Sequence, residues 1–139
     1  MNHYIHETVL RYAPDVIVFY CGDNDIAAGK TPARVLEDYR EFVGTVLQAK
    51  PSTRIVFISI KPSLARWDVW DAMQKANRRI QAFTDTNPNL SFVDIGPEML
   101  GPDGRPDARL LRDDGLHMTS AGYRIWNRDV DRALKDIGR

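Results

Sequence analysis

Three short apolar runs recur along the chain at wide intervals: Val16–Tyr20, Ile55–Ile60 and Leu90–Ile95. They are rich in β-branched and aromatic residues and too short for helices. Near-continuous apolarity, in place of in–out alternation, predicts strands buried on both faces of a parallel sheet. Between the runs the period changes to three and four. From Thr31 the apolar positions are Val35, Leu36, Tyr39, Phe42, Val43, Val46 and Leu47. Thr31 suits an N-cap, Pro32 the first helical position, and Pro51 follows the end. A second amphipathic stretch, from about Trp67 to Thr86, would bury Trp70, Met73, Ile80 and Phe83. A third starts near Thr119 and aligns Tyr123, Trp126, Val130, Ala133, Leu134 and Ile137. Residues 3–12 read as one more helix, stopped by Pro14.

Each interval between runs exceeds the dozen or so residues that a parallel crossover requires. Helix, strand, helix, strand, helix, strand, loop, helix therefore predicts a right-handed α/β layer fold of about three strands. Gly and Pro at 96, 97, 101, 102, 104 and 106 mark Gly96–Asp114 as a long irregular connection, and loops of that length are often functional.

Composition acts mainly by exclusion. At 139 residues the chain is one domain, 1–139, and its 43% hydrophobic content is too high for disorder. Nineteen acidic residues balance nineteen basic ones, so nothing points to nucleic acid or an anionic membrane. No apolar run reaches the roughly 18 residues of a membrane span. The N-terminus lacks a basic n-region and an apolar h-region, which predicts a cytoplasmic protein. A single cysteine, Cys21, excludes an intrachain disulfide and a multi-cysteine metal site; no metal or cofactor is expected.

Ligands of open α/β sheets bind beyond the carboxyl ends of the strands. Three polar clusters fall there. After the first run comes Cys21-Gly-Asp-Asn-Asp25, where Gly22 permits a sharp turn and Asn24 offers an amide donor to an oxyanion; the same residues also make plain turns. After the second comes Lys61-Pro-Ser63, where Lys61 and Ser63 could line a pocket; its composition is that of an ordinary loop, and that reading is favoured. After the third comes Asp113-Asp-Gly-Leu-His117. Asp114 lies three residues before His117, so the carboxylate can hold one ring nitrogen while the other faces the cleft, as an acid–base histidine requires. The alternative is a surface histidine near an N-cap aspartate, the reading given to His3 and His6. Cys21 reads as inert packing, Trp70 as core, and Trp67, off the apolar stripe, as a candidate substrate cover.

Gly22-Asp23-Asn24-Asp25 after a strand and Asp114-Gly115-Leu116-His117 before the last helix together resemble the SGNH, or GDSL-like, hydrolase family. The Ser-Ala-Gly-Tyr run at 120–123 and the element order extend the resemblance over nearly the whole chain. It implies a three-layer flavodoxin-like fold and hydrolysis of small acyl esters. By that resemblance His117 is the general base, Asp114 its orienting carboxylate, and Asn24 and Gly22 belong to the oxyanion hole, Gly22 by shaping the loop. Family members begin with a strand ending in a Gly-Asp-Ser type motif that supplies the serine nucleophile, and a second block adds a glycine. Neither block occurs here; the chain resembles the C-terminal two-thirds of such an enzyme.

The nucleophile is therefore open: water activated by His117, or Ser120, Ser59 or Ser63. The rival reading is a non-catalytic remnant that folds and associates. A nucleotide-binding module is disfavoured, because no Gly-rich phosphate loop follows the first strand. Without a nucleophile strand beside it, Val16–Tyr20 becomes an apolar sheet edge free of proline and charge. Such edges are rarely left open, so a homodimer is expected through that edge or the helix faces beside it. A two-fold could then bring the two Asn24 loops together and let one chain complete the other's site.

Overall fold

A computed structural model describes residues 9–137. β1 (Val16–Phe19), β2 (Arg54–Ile58) and β3 (Leu90–Val93) form a parallel sheet in that spatial order. Val18 pairs with Val56, and Val56 with Ser91. A short helix α1 (Asp23–Ala27) follows β1; α2 (Pro32–Ala49) and α3 (Trp70–Thr84) make the two crossovers; α4 (Ser120–Ile137) closes the described chain. Val35, Tyr39 and Phe42 of α2 and Trp70, Met73 and Ile80 of α3 pack with Phe19, Ile55 and Phe57 in one core. Val56, Ile58 and Val93 point to the opposite face, where Trp126, Val130 and Leu134 of α4 join them. The result is the α/β layer fold that the strand–helix alternation predicts, with the three layers that the resemblance implies.

Local chemistry sets the boundaries. Thr31 caps α2, its Oγ1 accepting from the Arg34 N–H at 3.2 Å, with Pro32 in the first turn. All three strands end one or two residues earlier than their apolar runs. Beyond Ile58, side chains replace ladder partners: Asn77 of α3 accepts from the Ile60 N–H and donates to its carbonyl, while Ser59 Oγ accepts from the Ile95 N–H. The second helix starts at Trp70, because Trp67–Val69 winds as a 3₁₀ turn. Of the helix expected over 3–12, residues 3–8 lie outside the described residues, and Leu10–Tyr12 is a 3₁₀ turn.

Two expected burial patterns differ. β2 is buried from Ile55 to Ile58, but Val16 and Val18 of β1 are 37% and 44% exposed. Both lie on the α4 face of the sheet, and α4 packs mainly over β2 and β3. Tyr123, expected on the buried stripe of α4, is 46% exposed. It lines a cleft with Tyr20, the residue after β1.

The long connection is anchored rather than loose. Met99, Leu110, Leu111 and Met118 bury into the second core, and Leu111 bridges Met118 in antiparallel fashion. Gly122 lets α4 lie against this segment, since a Cβ there would stand 2.6 Å from the Leu110 carbonyl oxygen. The turn between Leu111 and Met118 is thereby held at the carboxyl end of the sheet. Among the described residues, no helix is long and apolar enough to cross a membrane.

Candidate active site

Residues Arg112–His117 form the turn inside that bridge. The Arg112 N–H donates to the His117 carbonyl at 2.7 Å, and the Gly115 N–H to the Arg112 carbonyl at 2.9 Å. Asp114 organises it from within: Oδ1 accepts from the backbone N–H groups of Leu116 (2.9 Å) and His117 (3.0 Å). Its Oδ2 lies 2.5 Å from His117 Nδ1. Donation from Nδ1–H fixes the tautomer and leaves Nε2 as the basic nitrogen. The imidazole bond, then the two backbone donors, lower the Asp114 carboxyl from 3.8 to about 2. A depressed carboxylate keeps its pairing above its ordinary range and loses it as pH falls through the folded-state value. The His117 ring signals in NMR should therefore report an intact pair down to the ordinary 3.8, and its release as pH approaches about 2. Loss already near neutrality would show that the pair does not form.

Asn24 stands on α1, just past a backbone turn at Gly22. Gly22 has φ 111°, and a Cβ there would lie 2.7 Å from Ile60 Cδ1, so only glycine suits the position. Asn24 and His117, 93 residues apart in the chain (117 − 24), line one cleft of about 250 Å³. Asp23 and Lys61 add polar lining; Leu116, Met118 and Trp126 add apolar lining, with Tyr20 and Tyr123. His117 is open, with 68% of its side chain exposed, as is Asp114 with 47%. Gly22 itself does not line the cleft and acts through backbone shape.

The structure also brings in Asp23 and Arg66, to which the sequence assigns no role, and Lys61, whose pocket-lining alternative the sequence disfavours. Asp23 is buried beneath Asn24 and takes the Lys61 ammonium on Oδ2 at 3.0 Å, the Tyr20 hydroxyl on the same oxygen at 3.2 Å, and Arg66 Nη1 on Oδ1 at 3.3 Å. Lys61 thus leaves the ordinary-loop role its composition suggests. Arg66 carries no sequence signal, being 42 residues from Asn24. Its only pointer is its place in the loop after β2, at the ligand-binding end of the sheet.

The candidate nucleophiles are placed elsewhere. Ser59 is buried, donating to Asp94 Oδ1 and accepting from the Ile95 N–H. Ser63 is buried with no partner for its hydroxyl, and Ser120 is exposed at the start of α4. None of them lines the cleft. Burial, then the nearby Asp25 and Asp38 carboxylates, pushes the Cys21 thiol up to about 12, which suits the inert role. Burial and then the Asp23 carboxylate likewise raise the Tyr20 phenol above its usual range. Trp67 stacks on Trp70 at 6.2 Å, with Arg105 over its ring, and contributes nothing to the cleft. His3 and His6 lie outside the described residues. Among the described residues, no cluster of three or more His, Cys, Asp or Glu could hold a metal ion.

The sequence model of the GDSL-like Lipase/Acylhydrolase family matches residues 2–125. No curated protein gives a sequence match. Among solved structures, a GDSL-like lipase from Bacteroides thetaiotaomicron superposes with a TM-score of 0.81 at 21% identity, covering 96% of this chain and 68% of that one. A carbohydrate esterase family 3 protein from Talaromyces cellulolyticus gives 0.79 at 19% identity, covering 96% and 66%. A Streptococcus pneumonia protein gives 0.77 at 23% identity, covering 86% and 59%. At such identities the likeness is one of fold. The chain spans between 59% and 68% of the length of these relatives.

Proposed function

The chain belongs to the GDSL-like lipase/acylhydrolase family, and from that premise we propose that it hydrolyses small acyl esters in the cleft between Asn24 and His117. The observation that supports this most is the shared cleft: an aspartate-paired imidazole and a side-chain amide, far apart in sequence, line the same space. Among the described residues no serine, threonine or cysteine lines it. The nucleophile in this reading is water. His117 Nε2 takes a proton as the water oxygen attacks the acyl carbon. Asp114 stabilises the resulting imidazolium, and the Asn24 amide donates to the tetrahedral oxyanion. Collapse expels the alcohol, which leaves with the proton returned by His117. Catalysis of about 10³–10⁴-fold over water survives removal of a triad nucleophile in better-studied hydrolases, so a water-driven site of this kind has measurable activity.

p-Nitrophenyl acetate tests the proposal. Saturable release of p-nitrophenol above the buffer blank is the expected result. A rate equal to the blank favours the second reading, a folded chain without turnover. The openness of His117 and the cleft's lack of an aliphatic hydroxyl or thiol both favour that second reading.

The proposal extends to assembly. Among the described residues one edge of β1 is unpaired, Val16 and Val18 are part-exposed on that strand, and Val16–Phe19 holds no proline or charge. Pairing with a second copy would satisfy the free backbone groups and cover the valines. Sedimentation equilibrium should give a dimer at micromolar concentration. Val18→Lys should give a folded monomer, since the side chain is already partly in water. A wild-type monomer under these conditions overturns the dimer.

A further inference from the structure

We infer that Arg66 is the positioning residue that turns the amide donor of Asn24 toward the cleft, an inference that rests on the proposed oxyanion role of Asn24. An asparagine amide can present either its oxygen or its N–H₂ group to a ligand, and only the second stabilises a developing negative charge. Arg66 decides between them. A guanidinium carries donors and no acceptor, and its Nη2 stands 3.2 Å from Asn24 Oδ1. With the oxygen so engaged, the Nδ2–H₂ group is the end left for the cleft, and donation to the oxygen also polarises the amide and makes its N–H groups stronger hydrogen-bond donors. Arg66 itself does not line the cleft and acts from behind Asn24.

The arginine is held in turn. Nη1 donates to the Asp23 carbonyl at 3.2 Å and to Asp23 Oδ1 at 3.3 Å, while Lys61 and Tyr20 occupy Oδ2. Two cations, Lys61 and Arg66, face one carboxylate, leaving a net positive charge beside the donor. Fixed positive charge in a partly dry site favours the oxyanion without reorganisation during the reaction. The loop that carries Arg66 also touches the other half of the site. The Ala65 N–H donates to the Gly115 carbonyl at 3.0 Å, within the turn that presents Asp114 and His117. Lys61–Arg66 thus sets the position of Asn24 by a side chain and that of His117 by the backbone.

Side-chain amide NMR and steady-state hydrolysis, run in parallel, test this. The Asn24 Nδ2–H₂ pair, assigned by its absence in Asn24→Ala, should be resolved and shifted from the position of a free amide in the wild type, because its oxygen accepts from Arg66. In Arg66→Ala it should move to the position of a free amide. With p-nitrophenyl acetate, Arg66→Ala should lower kcat about ten- to a hundredfold with little change in KM, the scale of a misplaced catalytic group. Arg66→Ala should cost less in the Asn24→Ala background than in the wild type, the remainder being the lost positive charge. Arg66→Lys keeps the cation on Asp23 without the fork; it should recover part of the rate and serve if the alanine variant unfolds. An Asn24 signal unchanged in a folded Arg66 variant overturns the inference, whatever the turnover. Turnover that is absent, or indifferent to His117, removes the esterase reading instead, and the amide signal alone then decides the role of Arg66.

Discussion

Replacing His117 by alanine should lower ester hydrolysis by at least about tenfold, the low side of general-base effects. The low side is chosen because 68% of the side chain is exposed, and a wet base gains less from its surroundings than an enclosed one. Some catalysis should remain, since Asn24 still meets the oxyanion and solvent can accept the proton. The loss should fall on kcat more than on KM, because the imidazole acts on a proton in motion rather than on the bound ester. Folding should survive. The Asp114 carboxylate still accepts the Leu116 and residue-117 backbone N–H groups, and the deleted ring is mostly in solvent. Steady-state rates with p-nitrophenyl acetate and a thermal melt on the same sample check both halves. A rate identical to wild type excludes His117 as the base. Asp114→Asn should also slow the reaction, by leaving the wrong ring nitrogen protonated.

Gly22→Ala should give the largest stability loss, about 2–5 kcal/mol. Two costs combine. A left-handed backbone penalises an L side chain by about 1–2 kcal/mol, and crowding a packed core adds about 1–3 kcal/mol. The new methyl would meet Ile60 Cδ1 at 2.7 Å and Val35 Cγ1 at 3.3 Å, and both residues are buried. Gly29→Ala is the matched control. Its φ is 98°, yet nothing lies within 4 Å of the added Cβ, so only the first cost applies. Urea unfolding of the two variants should separate them. Equal losses would show that the core yields around Ile60 and that only the backbone conformation demands glycine.

The fold was legible where its signal is local. The three-to-four spacing from Val35 to Leu47, capped by Thr31 and Pro32, reads as α2 because period and cap lie within one stretch of sequence. The three apolar runs read as strands for the same reason, but their ends did not. Asn77 closes the backbone at Ile60 from a helix seventeen residues on, and no neighbouring residue announces it. The exposure of Val16, Val18 and Tyr123 depends on which layers are present, and apolar sequence alone reads as buried. In the site, Asp114 and His117 pair within one turn, so their spacing carries the geometry. The Gly22–Asn24 turn is likewise local. Arg66, Lys61 and Asp23 come together across two loops, and their types are those of any solvated surface until the fold encloses them.

The central claim is that Asn24 and His117 converge on one tetrahedral anion, and a transition-state mimic tests that without turnover. Titrating the labelled chain with the monoanion of ethyl methylphosphonate should shift the Asn24 amide and His117 ring signals together, along one saturation curve. Asn24→Ala should weaken the His117 response. Saturable shifts confined to other parts of the chain, or separate curves for the two residues, would contradict a single ester-hydrolysing cleft.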